Sequence, residues 1–417
     1  MVRSYICALD IGSSKIAACV VEIKRKKIEN IIFEAQPSRG VKRGSIVDSI
    51  QLVEVVGSVL KNLKAKSGIN LKSVHTNISG QDIITKHSRA IIPLAERGNK
   101  VITSIDIEKV KQQALTLGSS IEDEIINEIP FSYTVDSKSD ISNPLGLYGH
   151  KLEVDLYLIC GKISYIQTIT HVINQAGFQP QELFFSGLAT SEVVFNEELK
   201  RGSNILCDIG SEITELLLFK DGLLKDTQIL PFGGNDLSVV LSDALNIPWD
   251  LAEDIKISHG IIGDSSQIKE EKEVLVKKDN SYKPIKQRLV SEIITSKAKS
   301  MSQDIKKAVE QMLYLSDINN FIFTGRTMLQ EGLLEMFEDD FGILVEFGRI
   351  TDPQIIPFLS QKEALSGRKY LTYLTCLGLI CKELYGYNPK ILSSPQSVRH
   401  PILKFINKAR EIYQEYF

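Results

Sequence analysis

The sequence contains no apolar run long enough to cross a bilayer; the longest, around Leu371 to Cys381, is short and interrupted. It also lacks a basic surplus, because 49 Lys and Arg stand against 52 Asp and Glu, a formal net charge of -3. That balance argues against general nucleic-acid binding, which needs clustered positive charge. Cysteine is scarce: six residues (Cys7, Cys19, Cys160, Cys207, Cys376, Cys381) are scattered, mostly through apolar strand or helix runs, and no CxxC pair occurs. The expectation is buried thiols in a reducing compartment, not a disulfide or zinc framework. The first residues enter a strand without the charged-then-apolar pattern of a signal peptide, so a cytoplasmic start is expected, with any membrane met from its surface.

What is present is a chain of 417 residues, 43% hydrophobic and 24% charged, which is too long for one ordinary core and implies two or more domains. Its organising stretch is Asn204 to Glu215, an apolar strand into Asp208, a turn at Gly210 and an apolar return through Leu216 to Phe219. The same plan occurs earlier as Tyr5 to Ser14, with Asp10, Ile11 and Gly12 superposing on Asp208, Ile209 and Gly210. Two copies about half a chain apart suggest a duplicated domain with a ligand site between the halves.

Between these copies, Gly40 to Gly44 reads as a loop carrying Arg39, Lys42 and Arg43. Asp48 to Lys66 has helical spacing (Leu52, Val55, Val56, Val59, Leu60, Leu63), with Asp48 and Ser49 as capping candidates. The texture changes over Gln81 to Leu158. A strand Lys86 to Leu94 precedes a helix Ile105 to Thr116, capped by Ser104 with Ile107, Val110, Ala114 and Leu117 inward, and a strand Leu152 to Cys160 follows. This has the size of a small α+β insert ahead of a crossover helix, Tyr165 to Ala176. Phe184 to Phe195, rich in small residues, suits a helix packed closely on another backbone.

In the second half, Pro231 to Asn235 leads to a helix through Leu237 and Leu241, and Pro248 starts another, Trp249 to Ser258. Ser265 to Lys286 reads as a charged hairpin, Leu289 to Leu313 as a long helix, Asn320 to Thr324 as a strand into Gly325, and Lys369 to Leu384 as a helix. Asn388 to His400 reads as a flexible linker. Beyond it, Ile402, Leu403, Phe405, Ile406, Ala409, Ile412, Tyr413, Tyr416 and Phe417 fall on one helical face, with Lys404, Lys408 and Arg410 on or beside the polar side. Such a helix suits a bilayer interface; the alternative is docking on its own protein, against which the loose tether argues.

Phosphate binding needs backbone N–H groups in a tight turn of small residues, and Ile11 to Lys15 meets that need with two hydroxyls and one cation. Asp10 and Asp208, each ending a strand, are placed to hold hydrated Mg²⁺.

These turns, with Gly325 and the helix Leu251 to Gly260, resemble the actin/Hsp70/sugar-kinase superfamily and, within it, the bacterial FtsA cell-division family. The strings that carry this are Leu9 to Ala17, Pro37 to Gly40, Asn143 to Leu147, Phe185 to Ser191, Ala252 to Gly260 and the C-terminal amphipathic tail. The resemblance implies an α/β fold: two-lobed and actin-like, with ribonuclease-H-like duplicated domains, a small α+β inserted subdomain and a C-terminal amphipathic helix. The divisions expected are 1–80 and 161–200 for the first lobe, 81–160 for the insert and 201–387 for the second lobe, including a subdomain at about 260–315. A linker at 388–400 and a membrane helix at 401–417 complete the chain.

By motif, Asp10, Gly12, Ser13, Ser14 and Lys15 would form the first phosphate loop, and Asp208, Gly210, Ser211 and Glu212 the second. Glu253 and Lys256 would reach the ribose and adenine side; taken alone, the pair reads equally as a surface ion pair. Gly325 would open the loop beside adenine. Two residues depart from the family pattern. Glu212 sets a carboxylate near phosphates unless it points away or binds the metal, and Arg326 would either crowd the nucleotide or lie on it as a cation. ATP with Mg²⁺ is the implied cofactor, with weak or no hydrolysis. The implied function is a cytoplasmic tether of FtsZ filaments to the inner membrane face at the division site. Arg288 and Lys297 would meet the acidic FtsZ C-terminal tail, and other divisome proteins and head-to-tail self-assembly would complete the partners. The other readings are a sugar-kinase-like enzyme and a pilus-assembly relative, the second distinguished by lacking the terminal helix.

Overall fold

The computed structural model describes residues 4–95, 98–196, 198–199, 201–264, 273–278 and 281–386. The stretches expected as a linker, 388–400, and as an amphipathic membrane helix, 401–417, lie outside the described residues.

The chain begins as a meander, β1 (Ser4–Ile11), β2 (Lys15–Lys24) and β3 (Lys27–Pro37), and a short hairpin, β4 (Val41–Lys42) and β5 (Ser45–Ile46), follows. Helix α1 (Ser49–Ser67) starts where Asp48 accepts a bond from the Gln51 N–H at 3.0 Å, and stops at Gly68, whose φ of 68° a side chain disfavours. It buries the expected stripe, Leu52 through Leu63, on the sheet. Burying each such side chain stabilises by roughly 1.5–3 kcal/mol. Strand β6 (Ser73–Ile78) then pairs parallel to β1.

The next unit is β7 (Ile83–Pro93), β8 (Lys100–Val101), α2 (Ser104–Gly118), β9 (Asp123–Val135), β10 (Lys138–Ile141), β11 (Tyr148–Gly149) and β12 (Lys151–Lys162). It forms an antiparallel sheet, order β10-β9-β12-β7, with α2 on one face and its own core around Tyr133, Leu152, Val154 and Leu156. The α2 cap is Thr103, in a reciprocal box with Asp106, and not the expected Ser104. Leu117 is 64% exposed where it was expected to face inward. The helix ends with the Gly118 backbone pressed on Leu158 and Ser88, which turns Leu117 out.

Helix α3 (Ile163–Gln175) crosses back to β13 (Gln179–Phe185), parallel to β6, and α4 (Ser186–Val194) follows. Phe184 and Phe185 thus belong to a strand, and the expected helix begins after them. The second lobe opens with β14 (Ser203–Ile209), β15 (Thr214–Lys220) and β16 (Leu223–Leu230), then α5 (Gly234–Leu245) and α6 (Trp249–His259). A hairpin, β17 (Glu273–Lys278) and β18 (Ser281–Lys286), precedes α7 (Gln287–Met312). Last come β19 (Asn320–Thr324), α8 (Leu333–Phe341), β20 (Val345–Phe347) and α9 (Leu374–Tyr385). None of the described helices is long and apolar enough to cross a membrane.

The two large sheets repeat one plan. Their orders are β3-β2-β1-β6-β13 and β16-β15-β14-β19-β20, each a three-strand antiparallel meander continued by two parallel strands. One core joins them. Ala8, Ala17 and Cys19 from the first sheet and Leu206, Leu217 and Phe219 from the second pack against α4 and α9. Those two helices touch backbone to backbone, and a Cβ on Gly378 would meet the Ala189 carbonyl oxygen at 1.7 Å. The outer face of the first sheet carries α1 and α3, and that of the second carries α5 to α8. The architecture is the α/β two-lobed duplication expected from the sequence.

Candidate functional site

Both Asp-x-Gly turns lie at corresponding strand ends and close alike. The Gly12 N–H donates to the Lys15 carbonyl at 3.0 Å, and the Gly210 N–H to the Ile213 carbonyl at 2.9 Å. At the first turn, Asn77 on the neighbouring parallel strand fixes Asp10. Its amide donates to Asp10 Oδ1 and to Ser186 Oγ, each at 2.8 Å, and its carbonyl oxygen accepts from the Ile11 N–H at 2.8 Å. Lys15 Nζ pairs with Asp10 Oδ2 at 2.5 Å, so its charge is spent on the carboxylate beside it.

At the second turn, Asp208 lies within 3.5 Å of the Thr190 hydroxyl on α4. Burial pushes its carboxyl up to about 6, the Asp10 charge adds to this, and Lys15 opposes it. Two carboxylates from two lobes that feel each other's charge form a donor set whose repulsion a divalent cation would relieve.

A third acid, unread in the sequence, stands with them. Glu215, buried on β15, pairs in register with Asp208, where the first lobe has Ala17 opposite Asp10. It accepts a hydrogen bond from the Ser79 hydroxyl of the other lobe. Burial raises it to about 8, with Asp208 the next cause. The available signal was a lone acid at the head of an apolar strand, opposite the repeated Asp.

The second turn rests on α5 and on the Gly325 loop. The Gly210 carbonyl accepts from the Gly234 N–H at 3.0 Å and from the Thr327 hydroxyl at 2.7 Å. Gly325, at φ 92°, passes so close that a Cβ would meet the Ile209 carbonyl oxygen at 2.2 Å and Asp208 Oδ1 at 2.6 Å. Only glycine satisfies both the angle and the approach.

Glu253 and Lys256 do not form an exposed pair. Lys256 is buried, 2.6 Å from Glu253 Oε2, and donates to the Gly234 carbonyl at 3.0 Å; the Ser238 hydroxyl also lies on Glu253. Burial lowers the Lys256 pKa, Glu253 opposes that, and the exposed Arg326 adds to it. Glu212 turns to the Arg43 N–H at 2.5 Å and the Asn235 amide at 3.3 Å. Ser13 accepts from the Gly44 N–H at 3.1 Å. Ser14 and Ser211 complete the two turns.

Arg288 and Lys297 both lie on α7. Arg288 Nε pairs with Glu292 at 3.0 Å, whereas Lys297 lies 3.9 Å from Asp236 at the start of α5. About two and a half helical turns separate them, so they occupy opposite faces. Ile402, Leu403, Phe405, Ile406, Ile412, Tyr413, Tyr416 and Phe417 lie outside the described residues.

A family described as "Cell division protein FtsA" matches residues 205–373, and the "SHS2 domain inserted in FTSA" matches residues 80–160. The chain is 26% identical to the cell division protein FtsA of Borreliella burgdorferi, over 84% of this chain and 85% of that one. It is 24% identical to that of Neisseria meningitidis, over 91% of each. It is also 31% identical to that of Buchnera aphidicola, over 67% of this chain and 66% of that one. Among solved structures, it resembles a PilM-PilN type IV pilus biogenesis complex with a TM-score of 0.62 and 15% identity, over 91% of this chain and 98% of that one. It also resembles MreB 5 of Spiroplasma citri bound to AMPPNP, with a TM-score of 0.52 and 10% identity, over 97% and 98%. The fold is actin-like, and with the second lobe and the insert each matching the family's own pattern, the chain belongs to the FtsA cell-division protein family.

Proposed function

We propose that this chain binds ATP with Mg²⁺ between its lobes and serves as an actin-like tether, anchoring FtsZ filaments to the cytoplasmic face of the membrane. The observation that carries the nucleotide reading is the convergence of Asp10 and Asp208 at the ends of two duplicated turns. Mg²⁺, when bound, would neutralise phosphate charge. Asp10, held by Asn77, and Asp208, beside Thr190, are the residues that would hold it through water. The N–H groups of Ser13, Ser14 and Ser211 in the two turns would receive phosphate oxygens. Glu253, Lys256, Gly325 and Arg326 would flank the nucleoside. The expected consequence is a closed pair of lobes that favours head-to-tail self-assembly. The expected divisions into lobes, insert, linker and terminal helix are part of the same proposal, with the insert facing other divisome proteins or a neighbouring copy. Arg288 and Lys297 remain the cations proposed for the acidic FtsZ tail; their opposite placement on α7 means that each would contact it separately.

The test of the nucleotide reading is calorimetric titration with Mg-ATP. Saturable binding is expected for the wild type, weakened at least tenfold, about 1.4 kcal/mol, by Asp10→Ala. No binding by either protein refutes it. The tether is tested by deleting residues 401–417 and sedimenting the protein with anionic vesicles. The truncated chain is expected to stay in the supernatant, since one amphipathic helix supplies the contact, and undiminished co-sedimentation refutes it.

A further inference from the structure

The tip of the β4–β5 hairpin lies across both turns. Arg43 and Gly44 are consecutive residues with φ of 50° and 75°. Successive backbone N–H groups in such a turn can form an anion-binding concavity. Here the two amides are divided between the lobes. The Arg43 N–H donates to Glu212 Oε2 at 2.5 Å, on the second turn, and the Gly44 N–H to Ser13 Oγ at 3.1 Å, on the first.

The hairpin is fixed to its own lobe. The Gly44 carbonyl takes the Tyr165 hydroxyl, which also lies 3.2 Å from the Ser79 carbonyl. Ser45 Oγ donates to Asp82 at 3.0 Å. A Cβ on Gly44 would meet the Gly80 Cα at 2.5 Å, so the two backbones are already in contact. Glu212 is therefore the group that comes across to the hairpin, steadied on its other oxygen by the Asn235 amide at 3.3 Å. A carboxylate here carries the charge sign of the phosphate that the neighbouring turns would receive, and the two anions cannot share one amide without repulsion.

We infer that Glu212 is a built-in anion that holds the Arg43 amide and so clasps the two lobes, and that the terminal phosphate of a nucleoside triphosphate competes with it for that amide. The inference rests on the nucleotide reading above and gives it a sensing element. A triphosphate displaces the carboxylate, whereas a diphosphate, one phosphoryl group shorter, leaves the clasp in place. The residue that departs most from a glycine-rich phosphate loop then has a role in telling the two nucleotides apart.

The experiment titrates Mg-ATP and Mg-ADP against wild type, Glu212→Gln and Glu212→Ala at one ionic strength. Removing the charge is expected to tighten ATP about tenfold, or 1.4 kcal/mol, and ADP less than about twofold. Equal tightening of both nucleotides would mean that the charge acts on the whole site, and it overturns the competition; so does no change in either. In the nucleotide-free protein, hydrogen exchange at the Arg43 amide is expected to be faster in Glu212→Ala than in wild type, and an unchanged rate removes the clasp. Absence of binding of both nucleotides to all three proteins refutes the nucleotide reading, and the competition falls with it. Binding of both with an unshifted ATP-to-ADP ratio leaves that reading standing and overturns this inference alone.

Discussion

Glu215 sits at 3% exposure, bonded to Ser79 of the opposite lobe and facing Asp208, and its proton is held to about pH 8. An unfolded glutamate releases that proton near pH 4.5. Below that pH both states are protonated and the group costs nothing. Between 4.5 and about 8 the folded chain holds the proton and the unfolded chain does not, so stability falls as pH rises, and the loss is complete above 8. Glu215→Gln keeps the size and a Ser79 partner without the titration. Its stability advantage in urea unfolding is expected to grow from pH 5 to pH 8.5 by on the order of a few kcal/mol; a pH-independent difference would contradict the burial argument. The first aspartate turn was legible because its residues adjoin in the chain. Glu215 was not, since its burial depends on strand register and on Ser79, 136 positions away. The Glu212 direction was equally hidden, because its partner Arg43 lies 169 positions off and offers a backbone amide, which carries no mark in sequence.

At the scale of elements, helices with a single apolar stripe were read well, α1 and α7 above all, because a 3.6-residue period is local information. Strand β13 is not legible in the sequence, because with Pro180 and two glutamines it has no strand-like alternation; its parallel pairing with β6 makes it a strand. The short α8 and β20 carry too few residues for a period to show, although α8 supplies Phe337 and Phe341 to a stack with Phe321 and Phe323. Two helical glycines separate packing from propensity. Gly57 on α1 has room, since a Cβ there would lie 3.8 Å from the Ala176 Cβ, and Gly57→Ala is expected to stabilise by about 0.5–1 kcal/mol. Gly378 has none, and Gly378→Ala would force α9 off α4 against the Ala189 carbonyl, with an expected loss of about 2–4 kcal/mol. Thermal unfolding of both variants checks this; shifts of the same sign would show that propensity, not helix contact, governs both sites.

For the whole molecule, duplication explains why so much of the architecture could be anticipated. Two copies of one meander plus two parallel strands set two like turns on either side of a shared helical core. Among the polar links between the halves, Ser79 to Glu215 and Arg43 to Glu212 are not duplicated, and they distinguish this cleft from a symmetric one. The shared core also holds Cys19, Cys376 and Cys381, and all six thiols of the chain are buried, none more than 4% exposed. The native protein is therefore silent to a thiol-reactive dye. Cysteines placed at exposed Lys61 on α1 and Asp250 on α6 would take a fluorophore pair without first emptying the wild-type background, making the distance between the lobes directly readable in solution.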